Sequence, residues 1–305
     1  MDPSCGIMAA QRPAAQEPKF THREERTVTS KNHLAIIGAG NIGTSIAEGL
    51  VESGRLPAGS IALTRRKVGL LDDYKRRGFG VHSSNLEAVR KSDVILVSVE
   101  PQQIDGVLRE IGAEIRPDTH VVVSVVSGVS IKQIKALLGA KVPVVRAMPN
   151  TAIAIRESMT CLAAESGDRE AIGIAKSLFD AVGKSLVIDE EQMIAATALG
   201  ACGIAFFLRA VRAASQGGIE IGLHTDQALL IGAQTARGAA SLLLQRSKHP
   251  EHEIDLVTTP RGCTIAGLNR MEHEGFSSSM IRGIVTSAEK AAGLYSPDER
   301  AQKQR

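Results

Sequence analysis

Three glycines stand where an apolar run turns into a helical pattern, and this feature constrains the fold more than any other. The stretch from His33 to Val51 reads HLAIIGAGNIGTSIAEGLV, with the glycine spacing G-x-G-x-x-G. In a strand–turn–helix unit, Gly38 permits the tight turn, Gly40 lets a pyrophosphate approach the backbone, and Gly43 lets helix and strand pack closely. Amides at the start of the helix then face the phosphate charges. The motif predicts a dinucleotide site, with a glycine-rich turn that binds no ligand as the alternative.

Short β-rich runs alternate with helical patterns from residue 31 to residue 189. The runs read LAIIG, SIALT, DVILVSV, HVVVSVV and VPVVRAM, with segments long enough for helices between them. Nearly continuous valine and isoleucine indicates strands that are covered on both faces. This repetition predicts an α/β fold with a parallel, doubly wound sheet of the Rossmann type. Two later runs, MTCLAAE and SLVIDE, are expected to extend the sheet.

The character of the chain changes after residue 190. The segments 191–222 and 226–247 are long, rich in alanine and leucine, and contain many small residues. A helix that is apolar on more than one face needs burial on several sides. A domain of about 110 residues has too small a core for that, so burial against another subunit is expected. We therefore predict an all-helical C-terminal domain through which the chain forms a homodimer.

These patterns divide the chain into four parts. Residues 1–30 contain proline, glutamine and charge without a sustained period, which is typical of a flexible tail or an expression remnant. The dinucleotide-binding Rossmann domain is predicted at 31–189, the helical dimerisation and substrate domain at 190–295, and a flexible C-terminus at 296–305.

The end of the second predicted strand indicates which dinucleotide is bound. Proteins that bind NAD commonly place an acidic residue there, to hold the ribose 2′-hydroxyl. Here the strand ends LTRRK, so that Thr64, Arg65 and Arg66 occupy this position. Two guanidinium groups and a hydroxyl suit a 2′-phosphate. We predict that NADP(H) is preferred, with NAD(H) as the second choice; a solvated basic corner is the alternative interpretation of the arginines.

Charge and cysteine content exclude several other classes. A formal net charge of +3 is too small to predict binding to nucleic acid or to an anionic membrane. No run reaches the roughly 18 uninterrupted apolar residues of a membrane span. The four cysteines, Cys5, Cys161, Cys202 and Cys263, match no metal-binding spacing, so no metal is expected. Since no secretory segment is visible, reduced thiols and a cytoplasmic location are expected.

Five stretches together carry a family resemblance. They read GAGNIGTSIAEGL, VSVEPQQIDGVL, SVVSGVSIKQI, VVRAMPNTA and VTTPRGCTIAGLNRMEHEGF. This combination resembles pyrroline-5-carboxylate reductase, which reduces a cyclic imine to L-proline with NAD(P)H in the last step of proline biosynthesis. The resemblance extends from Lys31 to about Gly293. It implies a Rossmann domain followed by a helical dimerisation domain, with dimers that assemble further into decamers.

The resemblance also implies a cofactor site that runs from the pyrophosphate to the nicotinamide. The residues that match family positions are Gly38, Gly40, Asn41, Ile42 and Gly43 at the pyrophosphate, Thr64, Arg65 and Asn85 at the adenosine end, Val99 and Pro101 along the dinucleotide, and Val126, Ser127, Gly128, Pro149 and Asn150 at the nicotinamide.

The small-molecule substrate is expected at the loop TTPRGCT, where the chain enters a helix. The matching residues are Thr259, Gly262, Cys263 and Thr264. Backbone amides at a helix start can bind the substrate carboxylate without an arginine. By resemblance, Thr264 is the catalytic residue and hydrogen-bonds the imine nitrogen in a positioning role, and the loop can come from the partner subunit. A protonated imine already accepts a hydride well, so that the protein has mainly to set distance and angle.

Four positions depart from the family pattern and keep other functions open. Arg261 and Cys263 replace smaller residues in the substrate loop, Ile204 stands where proline is frequent, and Glu100 reverses a charge beside the cofactor. A reductase of another cyclic imine or of a keto acid is one alternative. A β-hydroxyacid dehydrogenase would need a catalytic lysine, and residues 190–215 contain none. A non-catalytic dinucleotide-binding oligomer would have no use for the loop 259–264.

Overall fold

The computed structural model describes residues 33–293, and its first part is a sheet flanked by helices. The predicted tails 1–30 and 296–305 lie outside the described residues. Within residues 33–293, eight strands form one sheet: β1 Leu34–Ile37, β2 Ile61–Thr64, β3 Gly80–His82, β4 Val94–Val97, β5 Val121–Ser124, β6 Val144–Met148, β7 Ser158–Ala164 and β8 Gly183–Val187. The helices of this part are α1 Asn41–Glu52, α2 Asp72–Arg76, α3 Asn85–Arg90, α4 Ile104–Gly112, α5 Ile131–Leu138 and α6 Arg169–Phe179.

The order of the strands locates the binding crevice. It is β3-β2-β1-β4-β5-β6-β7-β8, so that β1 lies between β2 and β4. Since the chain winds outward in opposite directions from β1, the crevice of a doubly wound sheet lies at the carboxyl ends of β1 and β4. The predicted α/β fold with a helical C-terminal domain is thus confirmed.

Two details of the sheet differ from the sequence prediction. The sheet is mixed, because β7 runs antiparallel to β6 while the other neighbouring strands are parallel. The chain between β6 and β7 holds only a 3-10 turn, Thr151–Ile155, and such a short connection suits antiparallel neighbours. Strand β3 was not predicted. It has three half-buried residues on the outer side of β2, too short a run to show a period.

The core explains why the strands are continuously apolar. Successive residues of a strand point to opposite faces, and in β1 Leu34 and Ile36 pack in one cluster while Ala35 and Ile37 pack in another. The first cluster contains residues of α1 and α6, such as Leu50 and Phe179. The second contains residues of α3, α4 and α5. Both faces of the sheet are therefore covered, as the sequence predicts.

The second part is helical and leaves much apolar surface exposed in one chain. It contains α7 Met193–Ala196, a π-helical turn Thr197–Cys202, α8 Gly203–Glu220, α9 Thr225–Arg246, α10 Pro250–Val257, α11 Cys263–His273 and α12 Phe276–Ala292. In α9 only Ala228 is buried, and in α8 only Gly203 and Ser215. Phe207, Leu208 and Leu230 are instead exposed. A protein with this much exposed apolar area needs a partner surface.

The stretch Glu190–Glu220 is also long and apolar enough to cross a membrane, judged by length and composition. One such helix is weak support for a membrane span, because a core helix of a soluble protein passes the same test. The expectation of no membrane partner stays a prediction.

Candidate active site

The first and third glycines of the motif are required by close backbone approach. Gly38 has φ +90°, and a Cβ there would lie 2.6 Å from the carbonyl oxygen of Ser98 and 2.6 Å from Cγ1 of Val99. A Cβ on Gly43 would lie 2.9 Å from Cγ2 of Ile36. Gly38 therefore makes the turn between β1 and α1, and Gly43 lets the helix pack against the strand.

Gly40, the second glycine of the motif, is not required by contacts within the protein. A Cβ on Gly40 would meet nothing within 4 Å. Gly40 is the N-cap of α1, no side chain caps the helix start, and the first turn carries no acidic residue. The amides that follow, beginning at Asn41 and Ile42, lie at the positive end of the helix dipole. This open, uncapped helix start fits the pyrophosphate of a dinucleotide, which is an anion that needs backbone donors.

A cleft of about 850 Å³ lies at the carboxyl ends of β1, β2 and β4. It brings together seven of the predicted cofactor residues: Gly38, Gly40, Thr64, Arg65, Arg66, Asn85 and Val99. The other predicted cofactor positions are not part of the lining within residues 33–293: Asn41, Ile42, Gly43, Pro101, Val126, Ser127, Gly128, Pro149 and Asn150. No residue of 259–264 is part of it either.

Sequence reasoning missed one wall of the cleft. Besides Arg66, Lys67, Ser83, Ser98 and Glu100, the lining contains Gln103, Gly106, Val107 and Glu110, on α4 and its N-cap. The spacing of these four positions, i, i+3, i+4 and i+7, is that of one helix face. A helix that follows the central strand of a doubly wound sheet lies beside the crevice, so this spacing was the signal that could have found them. Ser83 was missed because it follows the unpredicted strand β3.

A chain of hydrogen bonds fixes the predicted adenosine end. Thr64 is buried, and its Oγ1 donates to Oδ1 of Asn85 at 2.7 Å. The Nδ2 of Asn85 donates in turn to Oε2 of Glu110 at 2.9 Å. The Asn85 amide is thus held between the end of β2 and α4. Its orientation is set by the protein before any ligand binds.

Three cations border this end of the cleft. Arg65 is half-buried, whereas Arg66 and Lys67 are exposed. Within residues 33–293, none of the three forms an ion pair with a carboxylate, although such pairs occur elsewhere on the surface. Cations that line a cleft without a counterion attract an anionic ligand. They are placed where the 2′-phosphate was predicted.

The predicted nicotinamide positions follow β5 and β6. Val126 is buried, Ser127 is half-buried, and Gly128 has φ +80°. Asn150 uses its side chain within the protein, since Oδ1 accepts from the amide of Ala152 at 3.0 Å and Nδ2 donates to the carbonyl of Gly200 at 3.2 Å. Asn150 therefore ties the end of β6 to the π-helical turn. Its role in binding the cofactor stays a prediction.

The predicted substrate loop forms a tight turn before α11. The amide of Gly262 donates to the carbonyl of Thr259 at 2.9 Å, and Arg261 has φ +61°. A Cβ on Gly262 would lie 2.5 Å from Oγ1 of Thr259, so Thr259 would have to shift for any larger residue at this position. Cys263 and Thr264 begin the helix and are exposed in the single chain. As at α1, no side chain caps this helix start and no acidic residue lies in its first turn.

The three cysteines within the described residues, Cys161, Cys202 and Cys263, are free, and two of them differ strongly in environment. Cys161 is buried, and burial raises the pKa of its thiol, whereas Cys263 is exposed. No group of three histidine, cysteine, aspartate or glutamate side chains within residues 33–293 could hold a metal ion.

Comparison with known proteins finds a matching family for each part of the chain. Residues 190–294 match the family described as "Pyrroline-5-carboxylate reductase dimerisation", and residues 33–128 match "NADP oxidoreductase coenzyme F420-dependent". Pyrroline-5-carboxylate reductase 1 of Dictyostelium discoideum is 51% identical over 276 residues, 87% of this chain and 50% of that protein. Pyrroline-5-carboxylate reductase 2 of the same organism is 45% identical over 86% of this chain and 93% of its own length. The chain thus spans half the length of the first relative and nearly all of the second.

Solved structures agree with these relatives. The structure of a pyrroline-5-carboxylate reductase from Coxiella burnetii has a TM-score of 0.81 at 28% identity, covering 87% of this chain and 99% of that one. The fold is also that of the Plasmodium falciparum pyrroline carboxylate reductase solved with NADP bound, with a TM-score of 0.77 at 22% identity, covering 87% and 98% of the two chains.

Proposed function

The chain belongs to the pyrroline-5-carboxylate reductase family, and from that premise we propose that it reduces the C=N bond of 1-pyrroline-5-carboxylate to give L-proline. Its cofactor is a nicotinamide dinucleotide. The observation that carries the proposal is the open helix start at Gly40. It lies in a cleft bordered by cations that form no ion pair with a carboxylate of residues 33–293. That arrangement suits a dinucleotide, and the loop 259–264 supplies a second anion-binding helix start for the substrate carboxylate.

The residues of the chain bind and orient rather than exchange protons. The nicotinamide supplies the hydride when the dinucleotide is bound. Amides in the first turn of α11 hold the substrate carboxylate, and the hydroxyl of Thr264 fixes the ring nitrogen. The imine carbon of the protonated substrate accepts the hydride and the nitrogen keeps its proton, so that the product is the amino acid. Holding the two reactants at the correct distance and angle accounts for much of the rate acceleration in a reaction of this kind.

The partner subunit completes this site in our proposal. The helical domain is a dimerisation domain. In one chain, Cys263 and Thr264 are exposed, and no described residue of their loop lines the cofactor cleft. Both observations support a loop that serves the cleft of the other protomer. Assembly of the dimers into a decamer is a further proposal, which sedimentation of the purified protein would test.

Replacement of Thr264 by alanine is expected to lower kcat/KM for pyrroline-5-carboxylate by about 10- to 100-fold, because a hydrogen bond to a charged group contributes about 1.5–3 kcal/mol. The KM for NADPH should stay unchanged. The variant Thr264→Ser keeps the hydroxyl and is expected to retain most activity. Steady-state kinetics of both variants checks this. Equal losses in the two variants would contradict a role for the hydroxyl.

NADPH is the proposed cofactor, on the strength of Arg65, Arg66 and Lys67. We expect Arg65→Ala to raise the KM for NADPH by about 10- to 100-fold, because an arginine–phosphate contact is charge-assisted. The KM for NADH should change less than about threefold, since the plain ribose offers no charge to the guanidinium. Arg76→Ala, which removes an exposed arginine paired with Asp73 on α2, is the matched control and should alter neither value. A parallel rise in both KM values would argue against the phosphate pocket.

The oxidation of NADPH and NADH by the wild-type protein with pyrroline-5-carboxylate tests the whole proposal. Rapid oxidation with NADPH favoured is the expected result. Turnover only with a six-membered cyclic imine or a keto acid would show that the substrate assignment is wrong. Arg261 would then be the first residue to test as the cause of the different specificity. Tight NADPH binding without turnover on any of these would favour a non-catalytic oligomer.

A cytoplasmic location is also proposed, since the cysteines in the described part of the chain are unpaired, as expected in a reducing compartment. Fractionation of the source cells with antibody detection would test this location. Recovery of the protein in a membrane fraction or in an oxidising compartment would contradict it.

A further inference from the structure

We infer that Glu190 is a positioning residue, which holds the two segments beneath the nicotinamide in register with the start of the helical domain. A single carboxylate oxygen makes the connection. Oε1 of Glu190 accepts from the backbone amide of Ile131 at 2.7 Å and from Nη1 of Arg146 at 3.1 Å. Glu190 itself begins the 3-10 turn at which the chain leaves the sheet for the helices. Three elements that are distant in sequence therefore meet at one atom.

Both partners of Glu190 adjoin the predicted nicotinamide positions. Ile131 is the first residue of α5, and the loop just before it contains Val126, Ser127 and Gly128. Arg146 lies in the middle of β6, which leads directly to Pro149 and Asn150. A shift of Glu190 would consequently move the ends of β5 and β6 relative to each other. Those ends are where the reacting carbon of the cofactor is expected.

The chemistry of the contact makes it specific for a carboxylate. In the capping box of α5, the Ser130 hydroxyl accepts from the amide of Gln133 and the Gln133 side chain accepts from the amide of Ser130, so that the amide of Ile131 is left for Glu190. A negative charge is favoured at that helix start. Arg146 is buried, and burial lowers the pKa of its guanidinium from the ordinary value while Glu190 acts in the opposite direction. A buried cation whose partner is removed is left uncompensated.

A second bond ties the same region to the helical domain. Nδ2 of Asn150 donates to the carbonyl of Gly200, in the π-helical turn that follows α7. The Glu190 contact and this bond lie on either side of α7. The helical domain carries the substrate loop, so the pair fixes how the cofactor half meets the substrate half. The catalytic consequence of this inference rests on the proposed reductase function.

Another ion pair on α5 provides a matched control for a merely structural role. Nζ of Lys135 lies 2.7 Å from Oε2 of Glu165 and 3.0 Å from Oδ2 of Asp168. The Lys135 side chain is 11% exposed, close to the 9% of Arg146. Lys135 belongs to the last turn of the helix, away from the loop that holds Val126, Ser127 and Gly128. Its loss should weaken packing without touching that loop.

The experiment compares Glu190→Ala, Glu190→Gln and Lys135→Met in the full chain. Three quantities are measured: Tm, the kinetics with NADPH and pyrroline-5-carboxylate, and amide hydrogen exchange over residues 126–131. For Glu190→Ala we expect kcat to fall by about 10- to 100-fold, as misplacement of reactants does, with KM for NADPH changed less than about threefold and faster exchange over 126–131. Glu190→Gln can still accept from the Ile131 amide, and should recover part of kcat and most of the exchange protection. Lys135→Met should lower Tm and leave kcat within about twofold of wild type, because it leaves the loop in place.

Two outcomes would overturn the inference. One is unchanged exchange over 126–131 in Glu190→Ala, and the other is an equal fall of kcat in Glu190→Ala and Lys135→Met at equal loss of Tm. If the wild-type protein does not turn over pyrroline-5-carboxylate at all, the proposed function fails. The exchange comparison still decides whether Glu190 holds the loop.

Discussion

Replacement of Gly40 by alanine is expected to weaken NADPH binding strongly while the protein folds normally. A methyl group at this position would meet no protein atom within 4 Å, and the backbone conformation, φ −86° and ψ −162°, is open to alanine. The methyl would instead occupy the space in which the pyrophosphate approaches the start of α1. Overpacking by one such group costs about 1–3 kcal/mol, which corresponds to a rise of about 5- to 150-fold in Kd.

The neighbouring glycine should behave in the opposite way. In Gly38→Ala the new Cβ would lie 2.6 Å from the carbonyl oxygen of Ser98, at φ +90°. We expect that variant to lose about 2–5 kcal/mol of its free energy of unfolding, from the left-handed backbone and the clash together.

Calorimetric titration with NADPH and denaturant unfolding of both variants separate these effects. Gly173→Ala, in an exposed part of α6 with nothing within 4 Å, controls for added helix propensity and should bind NADPH as wild type does. Wild-type affinity in Gly40→Ala would exclude the pyrophosphate from this helix start.

Replacement of Leu208 by glutamate is expected to break the dimer and remove activity. Leu208 lies on α8 and is 63% exposed in a single chain, among the apolar side chains of a dimerisation domain. A charge that must be buried in an interface costs several kcal/mol. Substitution of a central interface residue weakens the binding free energy by about 2 kcal/mol or more, which raises the dimer Kd at least about 30-fold. Activity should fall with the dimer, because in our proposal the substrate loop serves the other protomer.

The same substitution on the cofactor domain is the control. Leu70 is 56% exposed, close to the exposure of Leu208, but it lies in the 3-10 turn after β2. Leu70→Glu should remain dimeric and active. Sedimentation velocity and turnover, measured over a range of protein concentrations, distinguish the two variants. A fully dimeric Leu208→Glu protein would place the interface elsewhere, and a monomer with full activity would refute a site shared between protomers.

Several features of the fold follow from local sequence, and others do not. The apolar strands and the glycine motif predicted the α/β fold, because a continuous apolar run and the spacing of three glycines are properties of a few consecutive residues. The antiparallel placement of β7 was not predicted, since MTCLAAE has the same strand pattern in either direction. Strand β3 escaped because three residues on the outer side of β2 carry too little pattern.

Some residues of the candidate site could likewise be predicted from local sequence, and others could not. Gly40, Arg65 and Asn85 were found from motif position, and the structure brings them into one cleft. Glu110 was missed, because its part in the site depends on α4 lying beside α3 and on a bond to a residue 25 positions away.

The sequence by itself determined the glycine turn, the strand and helix periods, and the excess of apolar helix surface in the C-terminal domain. Only the tertiary structure decided that Glu190 joins Ile131 and Arg146, residues 59 and 44 positions away. It also decided which glycines face protein and which face an open cleft. The physical reason is that backbone sterics and side-chain periodicity act between near neighbours in the chain. A hydrogen bond between distant residues, by contrast, exists only once packing has brought its donor and acceptor within 3 Å or so of each other.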